Sequence, residues 1–297
     1  MNGFLCVLKP PGMTSSDVVV TVRRKMTKKE KVGHAGTLDP EACGVLPVMV
    51  GKAARLFDYI VEKEKIYIAQ FKPGYATDTQ DAQGRIVRGE GKGTTCAALE
   101  AVLPRFTGTI MQVPPMYSAL KKGGRKLCDL ARAGETVDVP ARPAQIFDIR
   151  IREALEDGSF LLGVRCGRGT YVRTLMQDIG DALGCCAHMG YLLRAQTGIF
   201  SLEDAHTVEE IAQSDRLDSM LLPMDAPLAH LTRVDIAPEG RRLVENGNAV
   251  ARRLYAARGE ASGPLRAYLA DEFVGIAHTE GELLRFDAML WEKEAEK

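Results

Sequence analysis

Along "KIYIAQFK" (Lys65 to Lys72) side chains alternate with a period of two, the pattern of a strand with one buried face. "GVLPVMVG" (Gly44 to Gly51) is a continuous apolar run and reads as a strand buried on both faces. "GFLCVLKPPGMTSSDVVVTVRRKM" predicts a short strand, a Pro-Gly turn and a helix, with Ser15 or Ser16 as N-cap and the basic end at the helix C-terminus. In "GKAARLFDYIVEKE" the apolar residues Ala54, Phe57, Ile60 and Val61 fall at helical spacing. "TDTQDAQGRIV" predicts a polar turn, its Asp and Thr side chains capping backbone groups, and then a strand. "TTCAALEAVLPRFTG" predicts a helix capped near Thr94 or Thr95.

Further along, "SALKKGGRKLCDLARAGETVDVPAR" reads as a Gly- and Lys-rich loop holding one helical turn, and "AQIFDIRIREALEDGSFLLGVRC" as a β-hairpin around Asp157-Gly158. From Tyr171 a helix carries Val172, Leu175, Met176, Ile179 and Leu183 on one stripe and stops at Gly184. Tyr171 and Arg173 flank that stripe on opposite sides, so both are expected to be partly exposed. From about residue 230 the pieces are short, apolar and strand-like. Helices and strands mix without regular βαβ alternation, which predicts an α+β fold.

Composition narrows the class. The chain has 297 residues, 45% hydrophobic and 26% charged, enough for one large or two modest domains. Its formal net charge is zero, but "RRKMTKKEK" (Arg23 to Lys31) and "KKGGRK" (Lys121 to Lys126) are strongly basic. Such patches grip phosphates even in a neutral protein. Seven scattered cysteines without a C-x-x-C pair read as reduced thiols, mostly small buried hydrophobes. Cys185, Cys186 and His188 fit no zinc spacing, so no metal is expected there. The N-terminus has no signal-peptide pattern, and no apolar run is long enough to span a membrane.

Two stretches carry chemistry. In "KVGHAGTLDPEACGVLPVMVG" (Lys31 to Gly51) Pro40 forces Asp39 into extended geometry, and the glycines let the backbone turn and approach a ligand. The result is a carboxylate held on a loop in front of a buried strand. "GVLPVMVGKA" lacks the spacing and the Ser or Thr of a P-loop, and "TDTQDAQG" lacks the spacing and closing Glu of a calcium loop. In "RCGRGTYVRTL" a Gly-rich turn enters a helix, bringing a guanidinium fork at Arg173 and an aromatic at Tyr171. Tyr67 adds an aromatic on the alternating strand, and "VPPMYSALKKGGRK" a Tyr beside a basic loop.

Together these stretches resemble bacterial tRNA pseudouridine synthases of the TruB type. The resemblance is carried in family order by "LKPPGMTSSDVV", "KVGHAGTLDPEACGVLPV", "KIYIAQF" with "GYATDTQDAQG", "VPPMYSALKKGGRKLCDLARAGETVDVPAR" and "GRGTYVRTLMQDIGDALGCCAHMGYLLRAQTG", over about residues 3–200. Leu8 stands where an acidic residue is common in the family, outside the expected site. The resemblance implies a pseudouridine synthase fold, with a mixed, largely antiparallel sheet flanked by helices. It places the catalytic domain at 1–229, with an insertion loop at about 116–142, and a small β-rich PUA-like RNA-binding domain at 230–297.

It also implies isomerisation of the T-loop uridine at tRNA position 55, with Asp39 as the acting carboxylate and Arg173 as its partner. Tyr67 would stack on the flipped base, and Tyr171 would help deprotonate C5 or position the sugar. Leu192 would form an apolar wall, and His34 would fill the space vacated in the RNA stack. Lys121, Lys122, Arg125 and Lys126 would contact phosphates. The chemistry calls for no cofactor and no metal. The expected partner is the tRNA T-arm, with no membrane and no obligatory protein partner, in a cytoplasmic monomer. Two alternatives stand beside this reading: a guide-RNA-dependent subunit of the same family, and a non-catalytic tRNA folding aid.

Overall fold

The computed structural model describes residues 1–26, 30–60, 64–260 and 262–291. Part of the basic run Arg23 to Lys31, and Val61 of the expected helical stripe, lie outside the described residues. Among them, one sheet of ten strands forms the framework. Its main path runs His206–Thr207, Gly3–Lys9, Cys43–Val50, Ala187–Thr197, Lys65–Pro73, Phe160–Cys166, Arg142–Ala154, Gly108–Gln112. Neighbours are antiparallel except at two places: Gly3–Lys9 beside His206–Thr207, and Cys43–Val50 beside Ala187–Thr197. The second parallel seam is short, pairing only Leu193 with Cys43 and Arg194 with Gly44. The loop that bears Asp39 runs into that seam.

The Lys65–Pro73 strand alternates as its sequence requires, with Tyr67, Ala69 and Phe71 buried on one face. Against that face packs the Val172–Leu183 helix, whose Leu175, Met176 and Ile179 are fully buried, each contributing about 1.5–3 kcal/mol. Gly184 ends the helix in the left-handed conformation, φ 67°. The hairpin of Arg142–Ala154 and Phe160–Cys166 turns at Asp157-Gly158, where Asp157 Oδ1 accepts from Ser159 N at 3.0 Å.

The Ser15–Arg24 helix corrects one expectation. Its N-cap is Thr14, in a reciprocal box with Asp17, rather than Ser15 or Ser16. Ser15 is only 3% exposed and turns inward to another task, described below. "GKAARLFDY" is also less regular than its spacing suggests: a 3₁₀ stretch, Gly51–Leu56, precedes a single α-turn, Phe57–Ile60. Of the seven cysteines only Cys6, Cys166 and Cys185 are buried, fewer than expected.

A second sheet of six strands begins at Arg233 and ends at Met289. It shares a core with the first part of the chain, Ile276, Ala288 and Leu290 packing with Phe4, Leu56 and Ile60. Lys52 Nζ donates to the Leu290 and Trp291 carbonyls at 3.0 and 2.6 Å, and Tyr268 Oη to Asp225 Oδ2 at 2.6 Å.

Burial and the neighbouring Asp181 push the half-buried Asp178 carboxyl up from 3.8 to about 6. A carboxyl whose pKa is raised on folding contributes stability below its unfolded pKa and loses it as pH rises through about 6. Asp178→Asn is therefore expected to raise Tm by about 2–4 °C at pH 8, and to leave it unchanged near pH 4. Thermal melts at the two pH values check this, and equal shifts at both would contradict it.

Candidate active site

The Asp39 loop is fastened at several points by residues from distant parts of the chain. Ser15 Oγ donates to Leu38 O at 3.1 Å and accepts from Leu38 N at 2.9 Å. Lys9, fully buried, donates from Nζ to the Pro10 and Pro40 carbonyls, each at 2.8 Å. Burial pushes the Lys9 ammonium below its usual pKa. Arg194, 1% exposed, donates to Val45 O at 2.7 Å and to Gly36 O at 3.0 Å, spanning the loop from its start to the following strand. Gly44 has φ 111°, and a Cβ there would lie 2.2 Å from Arg194 O. Its glycine serves close approach of the neighbouring strand.

Asp39 meets Arg173 through a fork. Arg173 Nε lies 2.8 Å from Oδ2, and Nη2 donates to Oδ1 at 3.1 Å. The guanidinium is itself held by Thr79 O at 3.1 Å, by Tyr117 O at 3.0 Å and by Asp81 Oδ2 at 3.8 Å. Arg173 is 6% exposed, so the expectation that it flanks its helix in solvent is corrected. A cation with two carboxylates and two carbonyls around it is stable inside the fold, and a solvated one has no such fixed direction.

The Asp39 side chain remains 36% exposed, opening onto a cavity of about 300 Å³. Burial pushes its carboxyl above the usual range, Arg173 pulls it back in part, and Asp81 adds a second upward push. Among the described residues lining the cavity, Asp39 is the only carboxylate.

Tyr67, Tyr171 and Leu192 line the same cavity. Tyr67 is 7% exposed, and burial raises its phenol pKa although the Arg194 guanidinium beside it pulls the other way. Tyr171 is half-buried and its phenol is also raised by burial, against the pull of the Ser118 hydroxyl. Both phenols therefore stay protonated near neutral pH. Gln112, 2% exposed, fixes the Tyr171 backbone, accepting from its N–H at 3.0 Å and donating to its carbonyl at 3.2 Å. The cavity is near the lower end of small-ligand sites, about 300–1,000 Å³. It combines one ionisable carboxylate, aromatic faces and buried cations.

The other expected site residues lie elsewhere. His34 is in the Val32–His34 strand and does not line the cavity; burial and Arg194 lower its pKa. Lys121, Lys122, Arg125 and Lys126 are exposed on a two-stranded hairpin, a regular element where the sequence suggested only a loop. Two of these cations are engaged within the chain, Arg125 with Glu135 at 3.0 Å and Lys122 with the Asp138 carbonyl at 2.5 Å. Changing all four to Ala is expected to weaken tRNA binding about 10- to 100-fold. The slope of log K against log salt should flatten by about 2–3, since each phosphate contact contributes roughly 0.7–0.9. Titrations at several salt concentrations measure this, and an unaltered slope would reject a phosphate-binding role for the hairpin.

Sequence reasoning missed Lys9, Asp81, Gln112 and Arg194. Asp81 was visible as a turn-former, and it does accept from Gln83 N at 3.0 Å and Thr79 Oγ1 at 2.6 Å. Its second oxygen facing Arg173 was not visible. Arg194 had a signal: period-two alternation places it on the face of Leu192, which is buried. His188 and Cys185 bond Tyr75 O and Gly180 O, respectively.

Comparison with known proteins gives a consistent result. The family model described as TruB family pseudouridylate synthase (N terminal domain) matches residues 24–172. That of the tRNA pseudouridylate synthase B C-terminal domain matches residues 173–229. The tRNA pseudouridine synthase B of Moorella thermoacetica is 46% identical, over 95% of this chain and 92% of its own. That of Alkaliphilus oremlandii is 39% identical, over 99% of this chain and 100% of its own. That of Bacillus subtilis is 42% identical, over 83% and 82% respectively. Among solved structures, a chain of a Cbf5-Nop10-Gar1 complex aligns with TM-score 0.72 at 26% identity, over 97% of this chain and 84% of that one. A chain of an H/ACA RNP bound to a substrate RNA containing 2'-deoxyuridine aligns with TM-score 0.72 at 24% identity, over 98% and 85%, a likeness of fold.

Proposed function

The chain belongs to the TruB family of pseudouridylate synthases, and on that premise we propose that its cavity converts a tRNA uridine to pseudouridine with Asp39 as the acting carboxylate. The observation that carries this reading is the single carboxylate among the described lining residues, forked by Arg173 at 2.8 and 3.1 Å. The target is the T-loop uridine at position 55.

The reaction breaks the bond from ribose C1′ to uracil N1 and joins C1′ to C5. C5 gives up its proton and N1 ends with one, so atoms and electrons balance without a cofactor. An ionised carboxylate can act as a nucleophile or take the proton from C5. Arg173 favours that ionised form and fixes its direction. The target base must leave the RNA stack to reach Asp39, as in other base-modifying enzymes. Tyr67 then offers an aromatic face, Leu192 an apolar wall, and Tyr171 a protonated phenol beside the sugar. His34, outside the cavity, is assigned to the RNA stack, and the cationic hairpin to phosphates. Residues 1–229 form the catalytic unit and 230–297 a PUA-like RNA-binding unit of a cytoplasmic monomer.

One assay tests the reading. The purified protein, in buffer containing EDTA, is incubated with unmodified tRNA transcript, and pseudouridine is mapped. Conversion confined to position 55 is expected without any added RNA or protein. Conversion that appears only with a guide RNA would favour the guide-dependent alternative. Tight tRNA binding with no conversion would favour the folding aid.

A further inference from the structure

Four buried side-chain polar atoms have no hydrogen-bond partner among the described residues: Glu30 Oε2, His34 Nδ1, Ser118 Oγ and Trp291 Nε1. Of these four residues, only Ser118 lines the Asp39 cavity. Its side chain is part of a residue just 6% exposed. A buried hydroxyl without a partner costs stability, and its persistence points to a partner that arrives with a ligand.

The backbone fixes where that hydroxyl sits. The carbonyl of Tyr117, next in the chain, accepts from Arg173 Nη2 at 3.0 Å, on the same guanidinium that forks Asp39. The carbonyl of Ser118 itself accepts from Cys128 N at 3.1 Å, on the Leu127–Arg132 helix that follows the basic hairpin. Ser118 is thus tied to the acting carboxylate on one side and to the hairpin on the other. The Tyr171 phenol lies close enough for a hydrogen-bonding interaction with the Ser118 hydroxyl to lower its pKa, but in distance and angle the Ser118 hydroxyl completes a bond with no protein atom.

The ligand chemistry follows from the proposed reaction, on which this inference rests. Bringing C5 to the place of N1 requires the detached uracil to turn about its N3–C6 axis. That turn exchanges the C2 and C4 carbonyls. A hydroxyl aimed at one of them therefore faces a carbonyl acceptor before the turn and another after it. We propose that Ser118 is a substrate-contact residue, donating a hydrogen bond to a ring carbonyl of the uracil and holding the ring during the exchange of its bond to ribose.

The test uses Ser118→Ala and T-arm RNAs carrying uridine, 2-thiouridine or 4-thiouridine at the target, sulfur being a much weaker acceptor than oxygen. At saturating RNA, S118A is expected to slow single-turnover conversion of the uridine RNA about tenfold, with RNA affinity within twofold and Tm unchanged or raised. At least one thio substitution should slow the wild type by a similar factor and slow S118A no further. The inference is overturned if S118A converts uridine RNA within twofold of wild type, or if its Tm falls. It is equally overturned if the serine and sulfur effects multiply, or if neither thio substitution slows the wild type. Failure of the wild type to convert even uridine RNA would instead overturn the proposed function.

Discussion

Asp39→Asn lowers the single-turnover rate on tRNA by at least about 10⁴-fold, the scale seen when the reacting group of an active site is removed, and leaves tRNA affinity within about tenfold. The asymmetry has a physical origin. In the proposed reaction, binding draws on many phosphate contacts and the chemistry on one carboxylate. The variant should also remain folded. The Asp39 carboxyl has a pKa raised by burial, so its ionised form is disfavoured by folding and its contribution to stability is lost as pH rises through that pKa. Asn carries no charge to bury, but it keeps only one acceptor for the Arg173 fork and turns an NH2 donor toward the second guanidinium N–H. This loss at the buried guanidinium opposes the gain from removing a disfavoured charge, so a Tm at neutral pH within a few degrees of wild type is expected. Measurable turnover by the purified variant, free of wild-type contamination, would remove Asp39 from the chemistry.

Arg173→Ala should lower the rate about 10²- to 10³-fold, because the Asp39 carboxylate loses the fork that fixes its direction, and a reacting group displaced by about 1 Å loses on the order of 10². Its second consequence is more specific. Arg173 is the largest influence pulling the Asp39 pKa down. Without it the carboxyl titrates at higher pH, and the acid limb of the pH–rate profile moves upward. Arg173→Lys retains a charge but cannot reproduce contacts of 2.8 and 3.1 Å to two carboxylate oxygens together with the Thr79 and Tyr117 carbonyls. It should fall between wild type and Ala in both rate and acid limb. A variant that lost only tRNA affinity, with a normal rate at saturating RNA, would make Arg173 a phosphate contact and dissolve its assigned pairing.

Local pattern made much of the fold legible. Alternation put Tyr67, Ala69 and Phe71 on the buried face of one strand. Helical spacing from Val172 and the stop at Gly184 described a helix observed over Val172–Leu183. These features depend on residues two to four apart, and their geometry is set by the backbone itself. The prominence of Asp39 and Arg173 was legible as well, because Asp-Pro and a Gly-rich turn into a helix are local signals. That they form a pair came from the family resemblance, since 134 residues separate them.

Local signals failed wherever a side chain answers to a distant backbone. Ser15 stands in a run of cap-forming residues, and its sequence suggested a cap. Its hydroxyl instead holds Leu38, 23 residues on, and Thr14 takes the cap. Arg173 looked like a helix-flank cation and is buried, because the Thr79–Asp81 turn and the Tyr117 carbonyl converge on it.

The sequence by itself therefore determined most of the elements, the buried faces of the regular ones and the prominence of the Asp39 loop, because each is written in near-neighbour spacing. The tertiary structure alone decided what holds that loop in place. Lys9 reaches the Pro40 carbonyl across 31 residues, and Arg194 reaches the Gly36 carbonyl across 158. Such bonds form between whatever polar groups the packed sheet leaves facing one another in its interior. A buried donor there must find an acceptor, and only the assembled fold says which one is near.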